Sequence, residues 1–243
     1  MPLFLLWGSF LNMLAYRLIS QDSLLRPRSF CPNCNKSIAW YDLIPLVSWL
    51  ILKAKCRWCA QQISWLYFFI ETITTFLLSA LIITIPSSYY IAYFIFFSAL
   101  IITIRTDLEH MLISRFTTLF LVPVGFLLAY LQLLPISLKQ SIIGSISAFL
   151  FLYLIGRIFY WYTHTIGMGQ GDIELLMIIG TFLGITGWWI TLILASALGS
   201  LYGIFSILLF KNKIGKIPFG PFLALGAVLY SLYPSQLTAL FFF

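Results

Sequence analysis

Acidic side chains are scarce in this sequence. Asp22, Asp42, Glu71, Asp107, Glu109, Asp172 and Glu174 are the only seven among 243 residues, and charged residues of both signs make up 9%. A soluble domain carries about 25% charged and about 45–50% apolar residues. This chain is 61% hydrophobic, with a mean hydropathy of +1.01. The shortage of charge excludes a soluble globular domain and leaves an integral membrane protein, long enough for about seven to nine helical spans of roughly 20 residues each. Short segments of alternating polarity are also missing, which argues against a membrane β-barrel. The apolar opening has no basic segment before it and no small-residue cleavage site, so it reads as a first span rather than a cleavable signal. A P-loop lysine, a dinucleotide-binding glycine fingerprint, a nucleic-acid motif and an internal repeat are all lacking.

What is present is a series of long apolar runs. They predict an all-α polytopic fold of about eight transmembrane helices. Residues 1–19 form the first, weakened by Asn12 and Arg17 inside it, and residues 20–62 form a polar loop. Residues 63–243 form a core of seven more, at 63–85, 89–104, 116–134, 141–162, 174–186, 188–210 and 219–243. Gly187 is read as the break between the two spans that flank it. The net charge is +7. Of the 14 Lys and Arg residues, every one except Lys139 falls on one face under this count, Arg26, Arg28, Lys211, Lys213 and Lys216 among them. That is the positive-inside pattern, and it makes this face cytoplasmic. The loops 105–115 and 163–173 lie on the same face and carry Asp107 and Asp172.

All four cysteines fall in the polar loop, as Cys31-Pro-Asn-Cys34 and Cys56-Arg-Trp-Cys59. Two C-x-x-C pairs at this separation have zinc-ribbon spacing, in which each pair hooks two thiolates onto one tetrahedral ion. A cytoplasmic loop does not keep disulfides, and one this small gains its folding energy from a metal. Redox-active dithiols or unliganded thiols are the other readings. All four positions filled by protein point to structural Zn2+.

Asp107 and Asp172 stand out because a carboxylate at membrane depth is costly, and its default reading is functional. Two facing carboxylates share a proton and activate water, as in aspartic proteases. The bland reading is a pair of solvated loop residues. Asp172 closes Gly167-Met-Gly169-Gln-Gly171-Asp172, and glycines at 169 and 171 let a peptide backbone or the partner carboxylate come close. Glu109 and Glu174 read as tuning or structural neighbours, and His110 and His164 as solvated. Glu71, at span depth, is read as pairing with Arg17 or lining a groove.

These features stand in an order that resembles a known family. Gly8-Ser9-Phe10-Leu11-Asn12 with Arg17-Leu18, the twin C-x-x-C loop with Ile44-Pro45 inside it and Ile63-Ser64 after it, Glu71, Asp107-Leu108, Gly169-Gln170-Gly171-Asp172 and Ile217-Pro218-Phe219-Gly220-Pro221 are similar to the motifs of the bacterial type IV prepilin peptidases, intramembrane aspartic proteases of the GxGD type. Two positions depart from the pattern. Ser114-Arg115 stands where the first aspartate motif continues to Pro-Asp, and Glu174 where a lysine follows the second aspartate.

The resemblance implies Asp107 and Asp172 as the catalytic pair, Gly169 and Gly171 as the active-site loop, and a multi-pass enzyme of the bacterial inner membrane facing the cytoplasm. Its substrates would be prepilins and pseudopilins, whose basic leaders it removes. Many members then methylate the new N-terminus with S-adenosylmethionine, and the retained cysteine loop leans toward that second activity. The partners implied are pilin-like substrates and membrane lipid, with no nucleic acid. Two other classes remain open at this point: a pilin-binding scaffold that does not cut, motivated by the two departures, and a small ion-coupled transporter, disfavoured because coupling sites lie near the midplane.

Overall fold

The computed structural model describes residues 2–20, 29–31, 33–210 and 217–242. Among them the chain is helical, with no strand beyond two isolated antiparallel bridges. Arg26, Arg28, Lys211, Lys213 and Lys216 of the charge argument lie outside the described residues. The chain divides into two compact units, Met1–Thr84 and Ile85–Phe243.

In the first unit, α1 (Pro2–Ser20) packs along α3 (Trp65–Thr84). Leu66, Ile70, Thr74, Leu77, Leu78 and Leu81 recur at spacings of three and four and form the buried face of α3. Leu11 and Ala15 of α1 are buried with them as part of the same core. Asn12 donates its Nδ2 to the Tyr67 carbonyl at 3.2 Å, which satisfies a polar group inside an apolar helix. Between the helices the chain makes a 3-10 turn, Trp40–Leu43, and a short α2, Val47–Ile51. The helix α3 stops just before Pro86, because the residue ahead of a proline is pushed out of helical geometry.

The second unit begins with α4 (Tyr90–His110), about 31 Å long at 1.5 Å per residue and so matched to a bilayer core. Two short helices follow, α5 (Arg115–Thr118) and α6 (Leu121–Tyr130), then α7 (Leu138–Thr163), which opens on a Ser137/Gln140 capping box. The helix α8 (Gln170–Phe210) runs for 41 residues, about twice the span of a bilayer core, and is broken at Gly184, whose φ of 71° and ψ of −169° only glycine adopts without strain. The expected break at Gly187 is thus displaced by three residues. Gly187 stays helical and serves close packing instead, with Tyr230 lying against it. Near the break α7 and α8 touch backbone to backbone, since a Cβ on Gly144 would lie 2.4 Å from the Gly180 carbonyl oxygen. Ser141 Oγ donates to the Thr181 carbonyl at 2.6 Å, and Trp188 Nε1 to Ser147 Oγ at 3.0 Å.

The helix α9 (Gly220–Leu232) returns antiparallel along the second half of α8, with Phe222 against Tyr202 and Tyr230 hydrogen-bonded to Thr186. Pro234 then opens α10 (Pro234–Phe242), bent from α9 by 105°, where the sequence predicts one straight span. Among the described residues five helices are long and apolar enough to cross a membrane, or six if the bent pair counts as one span. The chain is a multi-pass membrane protein.

Candidate active site

Two further boundaries differ from the sequence reading, and both bear on the aspartates. The helix α4 extends to His110, so Asp107 sits in its last turn rather than in a loop. Its carbonyl accepts the N–H of Met111, the left-handed residue that ends the helix. The helix α8 starts at Gln170, so Asp172 is in its first turn, not ahead of it. Apolar runs end where polar residues begin, but a helix continues until its caps are met.

Asp107 is buried, 5% exposed, and its Oδ2 accepts the backbone N–H of Gly220 at 2.9 Å. This N–H opens α9, where helical donors have no partner of their own and the dipole favours negative charge. Pro221 has no N–H, so Gly220 supplies the donor at that end. A Cβ on Gly220 would lie 2.7 Å from the same carboxylate oxygen, which explains the glycine. Asp172 is half-buried and accepts the backbone N–H of Gly169, an N3 carboxylate reaching back to the cap residue. The two carboxyl groups are near each other.

The turn between α4 and α5 lines the same place. Ile113 lies against Gly171, where a Cβ would come within 2.8 Å of its own, and its Cδ1 would be 3.4 Å from a Cβ on Gly220. Gly171 therefore brings the start of α8 close to this turn. Gly169 is next to the carboxylate, its Cβ position 3.1 Å from Asp172 Oδ2. Farther along α4, phenyl rings of Phe96 and Phe182 stack at 4.6 Å and hold α4 to the first half of α8.

The neighbouring acids are all engaged. Glu109 is ion-paired with the buried Arg105 one turn back and lies 3.6 Å from His110 Nε2. Glu174 is buried, accepts from Thr118 Oγ1 at 3.0 Å and lies 3.6 Å from Arg115 Nε. Glu71 belongs to the first unit, and its Oε2 accepts the Leu46 N–H at 2.8 Å, pinning the cysteine loop onto α3. Leu46 adopts a positive φ of 60° at that point. Sequence reasoning left the Gly220 and Leu46 donors unassigned, because a backbone N–H carries no residue signature. The glycine ahead of Pro221 was the available hint for the first.

The cysteine loop contains two copies of one turn. Phe30 bridges to Ser37 around Cys31 and Cys34, and Lys55 bridges to Gln62 around Cys56 and Cys59. The Cys31 N–H donates to the Lys36 carbonyl at 3.0 Å and Cys56 to Gln61 at 2.8 Å, while Asn35 and Ala60 are left-handed in both copies. The four sulfur atoms lie within 4.8 Å of one another, and Cys31 Sγ is 3.8 Å from Cys59 Sγ. Sulfurs bound at about 2.3 Å around a tetrahedral ion sit about 3.8 Å apart, so the cluster has the size a metal needs. The Asn33 amide and then the Gln61 N–H hold the Cys59 thiol down at about 6, which favours the thiolate a metal would need.

Comparison with known proteins places these two regions. Residues 3–85 match the model of the bacterial peptidase A24 N-terminal domain, and residues 94–204 that of the type IV leader peptidase family. A prepilin leader peptidase/N-methyltransferase of Bacillus subtilis is 33% identical over 98% of this chain and 94% of its own length. The proteins of the same name from Aeromonas hydrophila and Vibrio cholerae are 36% and 31% identical, over 89% and 93% of this chain and 75% and 92% of theirs. No solved structure matches the chain.

Proposed function

The chain belongs to the type IV leader peptidase family, and from that premise we propose that it cleaves leader peptides from prepilins and N-methylates the residue exposed by the cut. The single observation that carries the proteolytic reading is the meeting of Asp107 and Asp172 at the facing ends of α4 and α8, with the start of α9 donating to one of them. An ionised carboxylate takes a proton from water as its oxygen attacks the scissile carbonyl, and the protonated partner donates to the carbonyl oxygen. Collapse breaks the C–N bond, and the proton held by the first carboxyl leaves with the amine. The pair titrates jointly, so the two roles belong to the dyad. Gly169 leaves the space beside Asp172 free of a further side chain, and Gly171 lets Ile113 pack against the start of α8.

Residues 115–130 and the two halves of α8 about Gly184, counted as crossings of their own, bring the total to eight. The fit of four sulfurs to a tetrahedral ion supports Zn2+ held by Cys31, Cys34, Cys56 and Cys59. Its chemistry is cross-linking of the loop, since no ligand position is left for water. S-adenosylmethionine is the methyl donor we assign, without a site for it on this chain. Pseudopilins join prepilins as substrates. The basic bias of one face assigns the site to the cytoplasmic side of the inner membrane.

Detergent-purified wild type, Asp107→Asn and Asp172→Asn are to be incubated with a prepilin and the products read by mass spectrometry. Either substitution lowers cutting by at least about 10³-fold. Cutting by both variants at the wild-type rate removes the dyad, and intact substrate with the wild type removes the proteolytic reading.

A further inference from the structure

The two departures from the family pattern are in contact with each other. Arg115 stands where the pattern has an aspartate, and Glu174 where it has a lysine. Here Arg115 Nε is 3.6 Å from Glu174 Oε1, and Arg115 Nη2 donates to Gln170 Oε1 at 3.2 Å. The guanidinium thus reaches α8 two residues before Asp172 and two residues after it. Thr118, one turn along α5, donates to the other Glu174 oxygen at 3.0 Å. Ser114 caps α5 by accepting the Phe116 N–H, and Ile113 packs on Gly171. Residues 113–118 therefore bracket the first turn of α8.

Exposed ion pairs contribute little, but this one is asymmetric. The Glu174 side chain is 5% exposed and that of Arg115 67%. Removing the partner of a buried carboxylate is costly, because the charge left behind has neither water nor counter-ion. Reversing one charge is worse than removing it, whereas reversing both restores the pair.

We propose that Arg115 and Glu174 are positioning residues for Asp172. They form a charge-reversed latch that fixes α5 on the first turn of α8 and holds Asp172 toward Asp107. The pattern that the chain resembles has the opposite order of charges at these two positions. Neither departure then marks a loss of function, and the ground for a non-cutting scaffold falls away. The inference rests on the proteolytic reading of the dyad.

The test measures kcat and KM for prepilin cleavage by the full chain as wild type, Arg115→Asp, Glu174→Lys and the double exchange. Misplacement of a reacting group by about 1 Å costs about 10²-fold. Each single substitution is expected to lower kcat by about 10- to 100-fold with KM within about threefold. The double exchange is expected to recover to within about fivefold of wild type. Singles that cut like wild type, or a double no better than the weaker single, overturn the latch. If a single reversal does not fold, Arg115→Lys and Glu174→Gln replace it, and a loss confined to KM overturns the proposal. Intact prepilin with wild type defeats the proteolytic reading alone. The latch is then read from the thermal unfolding midpoint, where a double more stable than either single supports it and additive losses overturn it.

Discussion

The four sulfurs of the first unit and the two carboxylates of the second are assembled by opposite means. Each C-x-x-C pair is shaped by a local turn, with its own bridge, its own backbone hydrogen bond to a carbonyl five residues on and its own left-handed residue. Two copies of a short-range structure need only be brought face to face, and the proposed ion would do that. Asp107 and Asp172 have no such local frame. They meet because α4, α8 and α9 pack as they do, with Phe96 on Phe182 and the Gly220 N–H on Asp107. A site of the first kind is lost with its ligand. A site of the second kind is lost when a helix end moves by an atom's width.

Gly220→Ala is the sharpest way to break that comparison, and outside the dyad itself it carries the largest expected effect. Its Cβ would lie 2.7 Å from Asp107 Oδ2, closer than real Cβ contacts allow. The carboxyl group must shift and loses the hydrogen bond from the Gly220 N–H. Prepilin cutting is expected to fall by about 10²-fold while bound metal per chain is unchanged. Wild-type rates would mean that the start of α9 does not hold the dyad. Lost metal would mean that the two regions are not separable.

The same difference explains what was legible in the residues. The cysteine spacing alone announced four sulfurs in one place, because the turn that presents each pair is built within eight consecutive residues. The apolar runs located most helices. Polar loops were drawn too wide around both aspartates, because hydropathy marks where lipid contact ends and not where helical hydrogen bonding ends. Gly184 and Gly187 look alike in sequence, and only the packing of Tyr230 against Gly187 separates them. Glu71 stood out by its depth in a span, but the Leu46 N–H that its carboxylate accepts carries no residue signature. Arg115 and Glu174 read as two independent departures until α5 was seen against α8.

Removal of the metal gives an intermediate effect and acts on the other side of the comparison. Cys31→Ser, or prolonged chelation, is expected to leave less than one bound ion per chain and to make residues 29–62 far more sensitive to protease. Structural zinc supplies most of the folding energy of small loops. Cutting of prepilin is expected to stay within about tenfold of wild type, because no cysteine belongs to the dyad, against the loss of about 10³-fold for a dyad residue. A protease-resistant loop without metal would make the cluster an ordinary thiol core. Complete loss of cutting would tie catalysis to the loop and remove the distinction.

The smallest effect concerns a charge pair inside the cysteine loop. Arg57, within the second C-x-x-C turn, donates from Nε to Asp42 Oδ2 at 2.8 Å and from Nη2 to Oδ1 at 2.5 Å, and lies over the Tyr41 ring. The Arg57 hydrogen bonds, and then its charge, hold the Asp42 carboxyl below the ordinary carboxylate range against the opposing effect of burial. A carboxyl lowered in the folded state stabilises it above the unfolded aspartate value of about 3.9, and that contribution disappears as pH falls through the lower, folded value. Asp42→Asn should therefore loosen the loop slightly at pH 5 to 7, by proteolysis of residues 40–59, with prepilin cutting unchanged. The difference from wild type should narrow below about pH 4. Because the wild type and the variant carry the same cysteines, acid release of the ion is common to both and cancels in the difference. A gap that widens with acid would mean that the folded loop holds the Asp42 proton more tightly than the unfolded chain does. Asp42 would then not be the carboxylate that Arg57 pairs.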